Sequence, residues 1–170
     1  MKTIGVIGLG VMGASFASRL SHKGYTVYGF ERSQETLDIA LQKQIIQKGT
    51  TEPKTLLKEC DLIIIALYPT QILPWIRQYQ HACKDKAILM DISGVKSNII
   101  EPVQSILRED LELISVHPMC GRESRGIQFS DEMIFDHANY IVVPTDQNTP
   151  EAIELAKQLG VVLGVKNIST

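Results

Sequence analysis

Cysteine is scarce and poorly placed for structural use. The chain has only Cys60, Cys83 and Cys120, far apart, with no C-x-x-C and no Cys/His spacing of the zinc-site kind. That excludes a disulfide framework and a recognisable metal centre, and it suits a reduced, cytoplasmic setting. Long hydrophobic runs are missing as well. The longest, residues 62–67, is far too short to span a bilayer, and a strand has begun by Gly5, which leaves no room for a signal peptide. The expectation is a protein neither exported nor embedded in a membrane. Charge is not in excess either: the formal net charge is -2 and no basic block occurs. An electrostatic footprint for nucleic acid or an anionic membrane is therefore lacking, which leaves a small molecule as the expected partner. Aromatic residues make up 6% of the chain and include a single tryptophan, Trp75. We read Trp75 as a packing contact rather than a ring for stacking on a cofactor.

What is present is organised around residues 2–15. A β-rich run at residues 3–7 leads directly into Gly8-Leu9-Gly10-Val11-Met12-Gly13, and an amphipathic segment follows. G-x-G-x-x-G gains its meaning from this strand-to-helix junction, where a dinucleotide's pyrophosphate binds. Gly8 allows the sharp turn, Gly10 removes a side chain from the path of the pyrophosphate, and Gly13 lets helix and strand pack closely. The helix N-terminus then presents N–H groups to the phosphates.

The rest of the chain alternates. Residues 11–23 carry apolar side chains at helical spacing and stop at Gly24, and residues 25–30 form a second strand ending at Glu31. An acidic residue about 20 positions after the glycine turn accepts hydrogen bonds from ribose hydroxyls, which favours NAD over NADP, although Arg32 beside it suits a 2′-phosphate or adenine stacking. Residues 33–44 form a second helix, 45–51 an irregular stretch and 53–60 a short helix started by proline. The apolar strand at residues 61–67 reads as buried on both faces, hence part of a parallel sheet. Tyr68 and Pro69 follow at its C-terminal end, the ligand-binding edge of open α/β sheets. Further elements are a helix at 70–82, a strand at 86–91, a helix at 97–108, a strand at 111–116, a loop at 129–138, a strand at 139–143, a helix at 149–160 and a last strand at 161–165. The fold class is α/β, a Rossmann-like doubly wound, mostly parallel sheet, with residues 1–170 as one dinucleotide-binding domain.

Loops after three strands converge on the ligand edge, and one of them delivers His117. An imidazole, with an ordinary pKa near neutrality, takes a proton from a substrate hydroxyl as hydride leaves. A structural histidine bonded to a backbone carbonyl is the competing reading. Cys120, three residues on, reads as packing, and His22, His81 and His137 read as facing solvent.

Three motifs together resemble the prephenate dehydrogenase family: the glycine turn, Asp91-Ile-Ser-Gly-Val-Lys96, and His117-Pro-Met-Cys-Gly-Arg-Glu-Ser-Arg-Gly126. The resemblance implies oxidative decarboxylation of prephenate to 4-hydroxyphenylpyruvate in tyrosine biosynthesis, or of its amino analogue arogenate, with hydride passing to NAD. It implies His117, Ser93 and Lys96 as catalytic residues. It also implies Glu123 on the substrate with His117 and Ser93, and residues 8–13, Glu31, Arg32, Tyr68 and Pro69 on the cofactor. The family often has glycine then serine before Val-Lys, whereas here the order is Ser93-Gly94. It normally continues into a helical dimerisation domain that supplies substrate-clamping cations, and no such domain is in this sequence. Self-association as a homodimer, through that domain or in its place, is the corresponding expectation. Two other readings stand beside this one. One is a related dehydrogenase, of the 3-hydroxyacid or imine reductase kind, that does not use His117. The other is a nucleotide-binding module without catalysis.

Overall fold

The computed structural model describes residues 3–121 and 123–170. Lys2 of the first motif and Arg122 of the last lie outside the described residues. β1 (Thr3–Ile7), α1 (Val11–His22), β2 (Thr26–Phe30), α2 (Gln34–Gln42) and β3 (Lys48–Thr50) form the first half of an eight-stranded sheet. β4 (Leu62–Ile65), α3 (Pro69–Tyr79), β5 (Ile88–Asp91), α4 (Ile100–Ile106), β6 (Glu112–Pro118), β7 (Asn139–Val143), α5 (Pro150–Leu163) and β8 (Asn167–Ser169) complete it. The strand order is β3-β2-β1-β4-β5-β6-β7-β8, and every pairing is parallel except β6 with β7. The order reverses between β1 and β4, so a crevice opens beyond their C-terminal ends.

Helices cover both faces, and the period-2 geometry of the strands distributes the core accordingly. In β4, Leu62 and Ile64 join Phe16, Leu20, Leu37 and Leu159 on one face, while Ile63 and Ile65 join Ile72, Ile76 and Val103 on the other. All four β4 side chains are fully buried, which is why that strand reads as an uninterrupted apolar run.

Four expectations are corrected. Residues 45–51 are not wholly irregular: they contain β3, an edge strand hydrogen-bonded to β2. Residues 53–60 form two 3₁₀ turns, Pro53–Thr55 and Leu57–Glu59, instead of one helix. The helix expected at 97–108 is only Ile100–Ile106. The strand expected at 161–165 is the end of α5, which stops at Gly164, in the left-handed conformation at φ 77°. Valines 161 and 162 suggested a strand, but packing overrides their propensity. Gly160 lets α5 lie so close to the sheet that a Cβ there would be 2.9 Å from Ile168 and 3.0 Å from Tyr140.

α1 also braces the connection between β6 and β7. The Ser15 hydroxyl accepts the Asp131 N–H at 2.9 Å, Arg19 Nη2 donates to the Glu132 carbonyl at 2.8 Å and pairs with Asp136, and His22 pairs with the Glu132 carboxylate. His22 therefore faces solvent as expected, yet it holds a partner.

Candidate functional site

The glycine turn is built differently at each glycine. Gly8 sits at φ +86°, where only glycine is comfortable, and a Cβ there would lie 2.7 Å from the Ala66 carbonyl oxygen. At Gly13 a Cβ would fall 1.8 Å from the Gly8 carbonyl oxygen. Gly10 is unlike both. Its φ is −73°, open to any residue, and nothing lies within 4 Å of where a Cβ would stand. The chain's own packing thus gives no reason for glycine at position 10, and the open space faces a cleft.

That cleft has a volume of about 890 Å³, within the range of small-molecule and cofactor sites. Gly8, Gly10, Val11, Met12 and Gly13 line one end with Glu31 and Arg32, and Tyr68 and Pro69 line its middle. Leu9 is the exception among residues 8–13. Its side chain is buried in the core and its N–H donates to Glu31 Oε2 at 2.9 Å. The other carboxylate oxygen, Oε1, accepts the Arg32 N–H at 2.7 Å. Backbone donors therefore hold the Glu31 carboxylate against the glycine turn.

Among the lining residues that the sequence did not single out as site residues are two aromatic ones. Trp75 and Tyr79 of α3 pack ring against ring, with centroids 5.3 Å apart, and both border the cleft. Trp75 also packs against the core, in keeping with its reading as a packing contact. Its half-exposed edge follows from α3 lying along the crevice, which sequence periodicity does not reveal.

The far end is lined by Ile92, Ser93, Gly94, His117, Pro118, Met119, Gly121 and residues 123–126. His117 is fixed by β6, in register with Ile141 of the antiparallel β7. Its Nδ1 lies 3.4 Å from the Ser93 carbonyl oxygen. Gly94 runs tight against the ring, since a Cβ there would be 2.9 Å from Cε1 of His117. The Ser93 hydroxyl does not point at the imidazole: it donates to the Val95 carbonyl at 3.0 Å. Glu123 is exposed on the rim.

Lys96, expected among the catalytic residues on the cleft wall, is drawn behind it. Its Nζ donates to Asp91 Oδ2 at 2.6 Å, the Val116 carbonyl at 2.7 Å and the Asp91 carbonyl at 3.3 Å. Burial pushes the ammonium below its ordinary pKa, and the Asp91 carboxylate opposes that shift. Asp91 is itself fully buried and accepts hydrogen bonds from the Ser115 hydroxyl at 3.1 Å and the Ser93 N–H at 2.9 Å. Cysteine chemistry finds no support here. Burial raises the Cys60 thiol to about 12 and the Cys83 thiol to about 11, so neither supplies thiolate at neutral pH. Cys120 is half-buried and packs against the core. Among the described residues, no group of three or more His, Cys, Asp or Glu side chains gathers as a metal site, and no helix is long and apolar enough to cross a membrane.

Comparison with known proteins adds independent findings. A family model described as prephenate dehydrogenase, nucleotide-binding domain, matches residues 16–169, beginning after the glycine turn. The chain is 26% identical over 160 residues to prephenate dehydrogenase of Bacillus subtilis (strain 168), covering 92% of this chain and 43% of that protein. Among solved structures, Synechocystis arogenate dehydrogenase superposes with a TM-score of 0.90 at 29% identity, covering 99% of this chain and 59% of that one. Aquifex aeolicus prephenate dehydrogenase, solved in complex with hydroxyphenyl propionate and NAD+, gives a TM-score of 0.90 at 22% identity over 100% of this chain and 60% of its own, and shows the shared fold. The chain thus spans under half the length of the Bacillus relative and about three-fifths of either structure.

Proposed function

The chain belongs to the prephenate dehydrogenase family as its nucleotide-binding domain, and we propose that it holds NAD and carries the proton-accepting histidine for oxidative decarboxylation of prephenate or arogenate. One observation carries the reading: a single cleft runs from the unneeded glycine at position 10 to the His117 imidazole. A binding surface for phosphates and a base thus stand at opposite ends of one open space, as a cofactor and a small substrate laid end to end require.

The residues present fit the cofactor. Gly8, Gly10 and Gly13 with Val11 and Met12 would receive the pyrophosphate at the start of α1. Glu31, held by two backbone N–H groups, would accept the ribose hydroxyls, and its negative charge disfavours a 2′-phosphate there, which supports NAD. Arg32, Tyr68 and Pro69 would flank the nucleotide. The nicotinamide, when bound, supplies the hydride acceptor.

His117 supplies the base. With its Nδ1–H donated to the Ser93 carbonyl, Nε2 keeps its lone pair and takes the proton of the substrate's ring hydroxyl. The carboxylate of the ring leaves as CO2, and its electron pair completes the aromatic ring as hydride departs. Ser93 acts here through its backbone carbonyl, its hydroxyl being engaged with Val95. Glu123, at the rim, would face the substrate's polar end. Carboxylate-clamping cations would come from the portion of the relatives that this chain does not span, in which case a homodimer forms through that portion.

The test uses Trp75, the sole tryptophan, as a built-in reporter on the cleft wall. NAD should change its fluorescence saturably, and prephenate- or arogenate-dependent NADH formation should follow once the complementary half is supplied. Absence of NAD binding would sink the reading. Tight NAD binding with no turnover, even with that half present, would leave a cofactor-binding module without catalysis.

A further inference from the structure

Building on the reading of His117 as the base, we propose that Lys96 is a positioning residue. Its ammonium ties the end of β5 to the end of β6, and so holds His117 in the tautomer that leaves Nε2 unprotonated.

The ammonium has three N–H donors and three oxygen acceptors within reach, so nothing of it remains for a substrate. The acceptors belong to two strands. Two are on Asp91, the last residue of β5 and two before Ser93; the third is the carbonyl of Val116, next to His117. The parallel ladder between β5 and β6 ends at the Asp91 and Ser115 pair. Lys96 therefore links the strands one residue past the last ladder rung, at the point where the imidazole and the Ser93 carbonyl must meet. The buried Asp91 carboxylate completes the device by receiving the Ser93 N–H, which turns the Ser93 carbonyl's segment toward His117. Gly94, flush against the ring, leaves little room for another ring position.

The experiment reads which ring nitrogen of His117 carries the proton, by long-range proton–nitrogen correlation in the 170-residue chain with labelled histidine, His117 being assigned from its absence in His117→Asn. It needs neither cofactor nor substrate, so its result is separate from the success or failure of the functional reading. In the unsubstituted chain with a neutral ring, the proton should sit on Nδ1. Lys96→Met should lose that preference and give mixed tautomers. The Asp91→Asn/Lys96→Met pair removes the charge left unpaired in the single variant and should recover its lost stability. The tautomer should nevertheless stay mixed, because the link to Val116 is still missing. A proton on Nε2 in the unsubstituted chain would overturn the proposal. So would an unchanged His117 spectrum in Lys96→Met, or a return to the Nδ1 form in the double variant, which would reduce Lys96 to a neutralising charge.

Discussion

A Cβ on Gly13 would stand 1.8 Å from the carbonyl oxygen of Gly8, closer than any nonbonded contact, whereas one on Gly10 would meet nothing within 4 Å. The two glycines therefore separate folding from binding. Gly13→Ala should destabilise by about 3 kcal/mol or more, because the obstacle is backbone and cannot rotate away. Gly10→Ala should stay within about 0.5 kcal/mol of the parent. Its NAD affinity should nevertheless fall about tenfold, equivalent to about 1.4 kcal/mol. Urea unfolding with Trp75 fluorescence titration measures both quantities in one sample.

Glu31→Gln tests the cofactor choice while keeping one acceptor oxygen for the Leu9 N–H, so the glycine turn stays in place. Losing the charge should weaken NAD by about 1.5 kcal/mol, as for a hydrogen bond to an ionised group. Arg32 would then meet a 2′-phosphate without an opposing carboxylate. The ratio of NAD to NADP affinity should drop, read by competition between the two nucleotides.

His117→Asn should leave NAD binding unchanged, since the imidazole lies at the far end of the cleft from the glycine turn. Turnover, measured with the complementary half present, should fall about a hundredfold to ten-thousandfold. Full retained turnover would favour a dehydrogenase that does not use this histidine.

Asp110 is expected to contribute to stability in acid. Its hydrogen bonds from Arg108, with one from the Lys86 N–H, hold its carboxyl at about 2, against an ordinary 3.8. Because the folded value lies below the unfolded one, the stabilisation is present above about 3.8 and is lost as pH falls toward about 2. Asp110→Asn should flatten the stability profile between those two values and leave it unchanged in shape at neutral pH. Chemical unfolding at pH 5, 3 and 2 distinguishes the two profiles. The contact also caps Lys86, whose φ of 62° is costly without a partner.

Much of this was legible from residue order because local chemistry dictates it. The glycine turn, the acidic end of β2 and the buried run of β4 each follow from a short stretch of sequence, and their strand and helix assignments agree with the structure. What could not be read depends on groups distant in the chain. That Ser93 meets His117 through its carbonyl while its hydroxyl turns to Val95 is a matter of loop conformation, and residue type gives no sign of it. Lys96 carried the right motif, but its three acceptors belong to two strands. Leu9 sits between cleft residues in sequence, yet its side chain is buried in the core. The continuation of α5 past Gly160 hinged on Tyr140 and Ile168, which no helical periodicity encodes.

The bracing of the β6–β7 connection by α1 joins the two ends of the cleft mechanically. The helix that opens at the glycine turn grips, through Ser15, Arg19 and His22, the same connection whose earlier residues wall the His117 end. The glycine-turn helix and the His117 end of the cleft thus share one brace, in which Arg19 bonds both the Glu132 carbonyl and the Asp136 carboxylate.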